Sequence, residues 1–160
     1  MSTIAEHIWK PSDSRVVVLD SFIPVPRGAT FAAPAPLNWP AKDPDDILDY
    51  QFDIAPAVIG NDGDGIATLD VTARPDQAGD IEITKVTADG PRAIIWVAGG
   101  QPGLVYTITI SITTVSGRAI NRSILLPVMA LATPAVLQNA IQTSEGFMLT
   151  DHSGNPLLSI

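Results

Sequence analysis

The sequence predicts an all-β protein, an immunoglobulin-like β-sandwich with extended N-terminal and C-terminal arms. Apolar and polar residues alternate with a period of two over residues 47–128. Turn residues interrupt the alternation at short, regular intervals, as they do in sandwich domains. Prolines are frequent before this region and oppose helix formation. We therefore expect an extended arm over residues 1–44, a sandwich over 45–128, and a second arm with a short hairpin over 129–160.

The N-terminal arm is defined by its prolines. Because proline lacks an amide donor and disfavours helix in the preceding residue, residues 34–40 are expected to run extended. Residues 15–23 interrupt the arm with a short β-branched segment. This segment is our candidate for a seventh strand of the sandwich.

The middle region supplies about six strands in some 80 residues, which is typical of an immunoglobulin-like sandwich. The first alternates over residues 48–54, and the clearest covers residues 104–112. In the latter, the residues expected on one face are Leu104, Tyr106, Ile108, Ile110 and Ile112. Ser116-Gly117 provides a tight hairpin turn. The Pro-Gly pair ahead of Tyr106 suits a tyrosine corner, in which the phenol oxygen bonds to the backbone.

The C-terminal arm is less regular. Residues 133–141 fit either a short helix or a strand, and the sequence leaves both open. Residues 147–160 are expected to form a hairpin that turns at Ser153-Gly154-Asn155. Because an isolated two-stranded hairpin is only marginally stable, its apolar residues need cover from the core or from another copy. We therefore expect a homo-oligomer.

Composition excludes several classes of function. The formal net charge is −8 and the nine basic residues are scattered, which opposes nucleic-acid binding. Cysteine is absent, which removes disulfides, thiolate nucleophiles and zinc–thiolate sites. The apolar part of the uncharged run over residues 123–144 is about 14 residues long, shorter than the ~20 a membrane helix needs. We expect no membrane span.

Neither acidic stretch meets the requirements of a catalytic or metal site. The loop over residues 61–65 resembles a calcium loop, but it lacks a third ligand at Ile66 and a distal glutamate, so a solvated turn is predicted. Asp43, Asp45 and Asp46 are interpreted as a charged turn before the first sandwich strand, or as a contact for a basic partner. His7 and His152 are the chain's histidines, and both lie in the arms. We expect no catalytic, cofactor-binding or metal-binding residues, and so no enzyme.

Interface residues are expected mainly in the arms. Trp39 places a large ring on an extended segment, as partner-binding anchors often do. Trp96 stands between Ile95 and Val97 and is expected in the core. The full set of interface candidates is Trp39, Asp43, Asp45, Asp46, Phe147, Leu157, Leu158 and Ile160.

Two stretches taken together resemble the bacteriophage fiber-tail adaptor family. Lys42-Asp43-Pro44-Asp45-Asp46 is similar to the lysine–aspartate–proline–acidic opening of that family. Residues 95–109, with the Gly117-Arg118 hairpin, are similar to its tryptophan strand, double-glycine turn, tyrosine strand and glycine–arginine hairpin. The resemblance extends over about residues 42–128.

The resemblance implies a non-enzymatic virion protein of the tail or neck that links fibers to it. It implies tail, neck and fiber proteins as partners, and we expect several copies in a ring. Residues before 42 and after 129 lie outside the shared pattern, so two alternatives stay open. One is a head–tail connector, neck or baseplate component built on the same domain. The other is a carbohydrate-binding or adhesin sandwich in which Trp39 or an exposed tyrosine contacts sugar.

Overall fold

The computed structural model describes residues 9–19, 27–28, 35–132, 141–145, 147, 149–155 and 157–159. The chain divides into two compact units, Met1–Ala130 and Leu131–Ile160. The described part of the first unit holds a 3₁₀ turn at Asp13–Arg15 and a short helix α1 at Ala55–Val58. Its strands are β1 (Val16–Val18), β2 (Leu37–Asn38), β3 (Leu48–Asp53), β4 (Ile66–Arg74), β5 (Ile81–Asp89), β6 (Arg92–Gly99), β7 (Val105–Thr114) and β8 (Ala119–Pro127).

The first unit consists of two four-stranded sheets with the orders β1-β3-β6-β5 and β2-β8-β7-β4. The six long strands pair antiparallel within their sheets. The short strands β1 and β2 pair parallel to β3 and β8 and extend the sheets on that side. Apolar side chains from both sheets form one buried cluster. The predicted all-β sandwich is confirmed.

Strand β7 shows how the alternating pattern builds this core. Tyr106, Ile108, Ile110 and Ile112 are buried, while the threonines and serine between them face outward. Burying each of these apolar side chains stabilises the fold by about 1.5–3 kcal/mol. The hairpin turn to β8 is the predicted one, because the Gly117 amide donates to the Thr114 carbonyl at 2.9 Å. At φ +90°, Gly117 adopts a conformation that side chains disfavour.

Two described parts of the predicted N-terminal arm pair with the sandwich, and one of them lies in the segment predicted as a possible seventh strand. These parts are β1 and β2, and Leu19 and Trp39 are each only 2% exposed. An extended chain by itself leaves its backbone amides and carbonyls without hydrogen bonds and its apolar side chains in water. Pairing of β1 with β3 and of β2 with β8 satisfies the backbone groups and buries the side chains. The first compact unit, Met1–Ala130, includes residue 44. Residues 20–23 of the candidate strand lie outside the described residues.

Trp96 occupies the outer face of its sheet rather than the core. Its neighbours Ile95 and Val97 are fully buried inward, and strand alternation then directs Trp96 to the opposite side. The ring of Trp9 packs against it there, with the two centroids 5.8 Å apart. The N-terminal segment thus covers an aromatic side chain that the sandwich itself leaves outside.

The second unit contains the turn predicted for the C-terminal hairpin. A further segment, at Ile141, bonds to the two segments on either side of that turn and was not predicted from the sequence. The Asp151 amide donates to the Asn155 carbonyl at 2.8 Å, which closes the turn over Ser153-Gly154. Further backbone bonds join Ile141, Leu149 and Leu157. Residues 133–140, for which helix and strand were both open, and Ile160 lie outside the described residues. Among the described residues, no helix is long and apolar enough to cross a membrane.

Candidate functional site

Lys42 links two distant parts of the chain at one end of the sandwich. Its ammonium group is fully buried and donates to the Asp43 carbonyl at 2.7 Å and the Gly99 carbonyl at 2.6 Å. Burial lowers the pKa of Lys42 from its ordinary value, and the carboxylates of Asp46, Asp43 and Asp45 oppose that shift. A buried ammonium requires such oxygen partners. Lys42 therefore fixes the lysine–aspartate–proline stretch against the double-glycine turn.

The acidic residues that follow form the predicted turn before β3. The Asp46 carboxylate accepts from the Asp43 amide at 3.0 Å, and the Asp46 amide donates back to the Asp43 carbonyl at 3.1 Å. The Asp43 carboxylate accepts from the Asp45 amide at 3.0 Å. Asp43 is nearly buried, whereas Asp45 is exposed. Two of these carboxylates thus hold the turn, and Asp45 presents its charge to solvent.

The double-glycine turn is packed too tightly to accept a side chain. A Cβ atom at Gly100 would lie 2.7 Å from Ile81 Cγ2 and 2.9 Å from Val128 Cγ2. Gly100 also has φ +106°, a value rarely adopted by other residues. Glycine at this position therefore lets the turn approach the core beside the carbonyl that Lys42 binds.

Tyr106 forms the predicted tyrosine corner next to this turn. Its phenol oxygen accepts from the Gln101 amide at 2.9 Å and donates to the Asp80 carboxylate at 2.7 Å. Burial, together with the bond to Asp80, raises the pKa of the Tyr106 phenol. The corner ties the turn to the start of β7 and to the loop before β5.

Exposed apolar side chains surround this end of the sandwich. Backbone bonds bring the segments together, since the Met129 amide donates to the Lys42 carbonyl and the Val128 amide to the Leu104 carbonyl, both at 2.9 Å. We call Ile47, Leu104, Val105 and Met129 the apolar rim; they are 62%, 38%, 52% and 51% exposed. Leu104 was expected on the inner face of β7. It precedes that strand at the Pro-Gly corner and lies outside the core instead.

Arg15 and Asp49 join the N-terminal segment to β3. The Arg15 guanidinium donates to the Asp49 carboxylate at 2.7 Å, and the Ser12 amide donates to the same carboxylate at 2.9 Å. Burial by itself would raise the pKa of Asp49, but these two bonds outweigh it and hold the pKa below its usual value. This cluster positions the segment that carries Trp9.

The calcium-like loop lies at the opposite end of the sandwich, where Asp64 binds the turn between β7 and β8. The Asp64 carboxylate accepts from the Ser116 amide at 2.9 Å and from the Ser116 hydroxyl and Arg118 guanidinium. The hydrogen bonds from Ser116 and Arg118 lower the pKa of Asp64. The loop also lines an open cleft of about 340 Å³ with α1 and Pro91. Asp64 therefore holds the β7–β8 hairpin in place.

Trp39 does not occupy the surface position from which an anchor acts. Its ring is buried 5.2 Å from the ring of Tyr50, and its indole nitrogen donates to the Gln51 carbonyl at 2.9 Å. Trp39 does run on an extended segment as predicted, but that segment is paired with β8. Its side chain is therefore committed to the core of its own chain.

The C-terminal interface candidates are exposed. Phe147, Leu157 and Leu158 are 68%, 43% and 49% exposed, while Ile160 lies outside the described residues. Sequence reasoning missed the apolar rim, because Val105 begins β7 and Met129 follows β8, so they were taken as parts of the sandwich and of the arm. The signal that was available is the Pro-Gly corner, which marks the end of the core.

A comparison with protein families matches one family to the segment that contains Lys42, the double-glycine turn and the tyrosine corner. The family model described as Podophage GP4 fiber-tail adaptor protein gp77 matches residues 42–127. Among curated proteins, no significant match is found. The matched segment covers just over half of the chain, from Lys42 through the last residue of β8, and includes the tyrosine corner. The chain therefore belongs to the podophage GP4 fiber-tail adaptor family and is a structural component of the phage virion tail.

Proposed function

We propose that several copies of this chain surround the phage tail and join fibers to it, in a structural and non-enzymatic role. The observation that carries the proposal is the hydrogen bond from Lys42 to the Gly99 carbonyl. It brings the two stretches shared with the family to the same end of the sandwich. Both stretches lie within the segment that the fiber-tail adaptor family model matches, which favours a contact with the tail at this end.

The chemistry of this end supports a protein partner. The apolar rim exposes four large side chains, and the exposed Asp45 lies two residues before Ile47 in the chain. Apolar side chains grouped on a surface and edged by polar groups are typical of protein interfaces. The carboxylates there and the net charge of −8 favour a partner surface with basic groups. We assign this partner to the tail.

We further propose that the sandwich is immunoglobulin-like. With the short strand β2 left out and the other seven lettered A to G in chain order, β1-β3-β6-β5 has the order A-B-E-D and β4-β7-β8 the order C-F-G, as in constant-type immunoglobulin domains. Tyr106 at the start of β7 supports the same classification, because tyrosine corners lie at the start of strand F. The parallel pairing of β1 with β3 departs from that pattern.

The carbohydrate-binding alternative receives no support from the aromatic residues on which it depended. Both tyrosines of the chain, Tyr50 and Tyr106, are fully buried, and Trp39 is 2% exposed. Sugar stacking needs an accessible aromatic face. The residues expected to contact sugar are therefore part of the core.

Charge substitutions in the apolar rim test the proposed contact with the tail. Ile47→Asp and Val105→Asp should reduce incorporation of the full chain into particles, since each places a carboxylate where apolar surface is buried. Val115→Asp is the matched control. Val115 is 71% exposed and lies at the far end of β7, about 30 Å from Val105 at ~3.3 Å per residue.

Incorporation is measured by complementing phage that lack the protein and quantifying the chain in purified particles. Loss with the rim variants and normal levels with Val115→Asp are expected. Equal incorporation of all three variants would show that the rim does not bind the tail. Particle reconstruction gives the copy number, and a single copy per particle would contradict the multi-copy arrangement.

A further inference from the structure

The second unit has an approximate three-fold symmetry within a single chain. Ile141, Leu149 and Leu157 lie eight residues apart. The Ile141 amide donates to the Leu157 carbonyl, the Leu157 amide to the Leu149 carbonyl, and the Leu149 amide to the Ile141 carbonyl, each at 2.8 Å. Every one of these residues donates once and accepts once. The three bonds therefore close a ring, which we call the backbone triangle.

The connections between the corners repeat as well. The Thr143 amide donates to the Phe147 carbonyl at 2.8 Å, and eight residues later the Asp151 amide donates to the Asn155 carbonyl at 2.8 Å. In both turns the first side chain accepts from the last amide, with Thr143 Oγ1 at 3.1 Å and Asp151 Oδ1 at 2.9 Å. The eight-residue repeat is thus a structural repeat and not a coincidence of spacing.

The corner side chains are equivalent and incompletely buried. Ile141, Leu149 and Leu157 are 40%, 40% and 43% exposed, as expected for three positions related by a rotation. So few residues cannot bury much apolar surface by themselves. The unit therefore presents three partly exposed aliphatic side chains, one isoleucine and two leucines, around one axis.

We propose that the backbone triangle seats on the end of a homotrimeric fiber protein, along its three-fold axis, so that one adaptor chain binds three fiber chains. Symmetric homo-oligomers repeat each surface group once per subunit, and a triply repeated apolar contact satisfies all three subunits of a trimer at once. Residues 131–160 contain Glu145 and Asp151 but no lysine or arginine. The complementary fiber end is therefore apolar at the axis, with basic groups around it.

This inference rests on the proposed adaptor function, and it adds the symmetry and chemistry of the fiber partner. Its test uses the full chain and the purified fiber protein of the same virion. Native mass spectrometry gives the stoichiometry, for which we expect one adaptor chain to three fiber chains. A complex with equal numbers of the two chains, or self-association of the adaptor through these residues, would overturn the proposal.

Substitutions at the three corners test the equivalence. Ile141→Lys, Leu149→Lys and Leu157→Lys should each weaken fiber binding at least about tenfold, because each buries an ammonium against apolar and basic groups. Val115→Lys, equally charged but on the first unit, should leave the affinity unchanged. A large loss at a single corner with no effect at the other two contradicts the three-fold arrangement.

Folding of the variants is checked by hydrogen exchange at the amides of the backbone triangle. If a lysine variant loses protection there, Leu149→Ala replaces it, with an expected loss of about threefold. Fiber binding that is insensitive to all corner substitutions refutes this proposal and leaves the adaptor function intact. No fiber binding by the unmodified chain refutes the adaptor function itself.

Discussion

Replacing Trp39 separates a core role from a surface role. The ring is 2% exposed, packs 5.2 Å from the ring of Tyr50 and donates to the Gln51 carbonyl at 2.9 Å. Trp39→Ala removes this packing and should lower the free energy of unfolding by about 3–5 kcal/mol. Trp39→Phe keeps an aromatic ring but leaves the buried Gln51 carbonyl without its donor. It should lower the free energy of unfolding by about 1–3 kcal/mol.

Urea denaturation followed by circular dichroism measures these changes on the isolated chain. In a thermal scan, Trp39→Ala should lower the midpoint by about 6–20 °C, given ~2–4 °C per kcal/mol for a protein of this size. Trp9→Ala is the control, since Trp9 is 48% exposed and its contact with Trp96 is worth about 1 kcal/mol. If Trp39→Ala changed the stability by less than about 1 kcal/mol while particle incorporation failed, the ring would be an anchor and the core assignment wrong.

Three further predictions concern the contacts around the family-matched segment. Asp49→Asn should reduce stability most at neutral pH, and its difference from wild type should shrink below about pH 4, because a carboxylate with a lowered pKa stabilises above its unfolded pKa and loses this effect as pH falls. Urea titrations at several pH values measure it, and a pH-independent difference contradicts it. Tyr106→Phe should cost about 1–2 kcal/mol through two lost hydrogen bonds, and unchanged stability would exclude a structural corner. Gly100→Ala should cost at least about 1–3 kcal/mol through overlap and an unfavourable φ; a normal thermal midpoint would refute the tight packing.

The alternating strands were predictable because strand periodicity directly records which face is buried. The alternation at Ile108, Ile110 and Ile112 requires a strand with these three side chains on its buried face. Ser116-Gly117 then sets the position of the hairpin turn. The tyrosine corner was accessible in part, since its bond from the Gln101 amide spans five residues, whereas its bond to Asp80 spans 26 and has no local signal. The same alternation argues against a core position for Trp96, because its two neighbours already face inward.

What the sequence did not reveal depends on long-range pairing. Trp39 looked like a surface anchor because proline-rich segments are usually extended and exposed, and the pairing of Leu37 with Ile124 has no local signal. Lys42 carries a charge that propensity rules place in solvent, yet two carbonyl oxygens make its burial tolerable. The backbone triangle was overlooked because its repeat is only eight residues long, and the repeated segments resemble one another in size and polarity at only a few positions.

The parallel pairing of β2 with β8 has a consequence for the order of events during synthesis. Strand β2 leaves the ribosome early, but its partner is the last strand of the sandwich to emerge. The segment that carries Trp39 therefore remains unpaired, with the indole exposed, until nearly the whole first unit has been translated. A chain that ends before β8 therefore lacks the strand with which β2 pairs and cannot complete the sandwich.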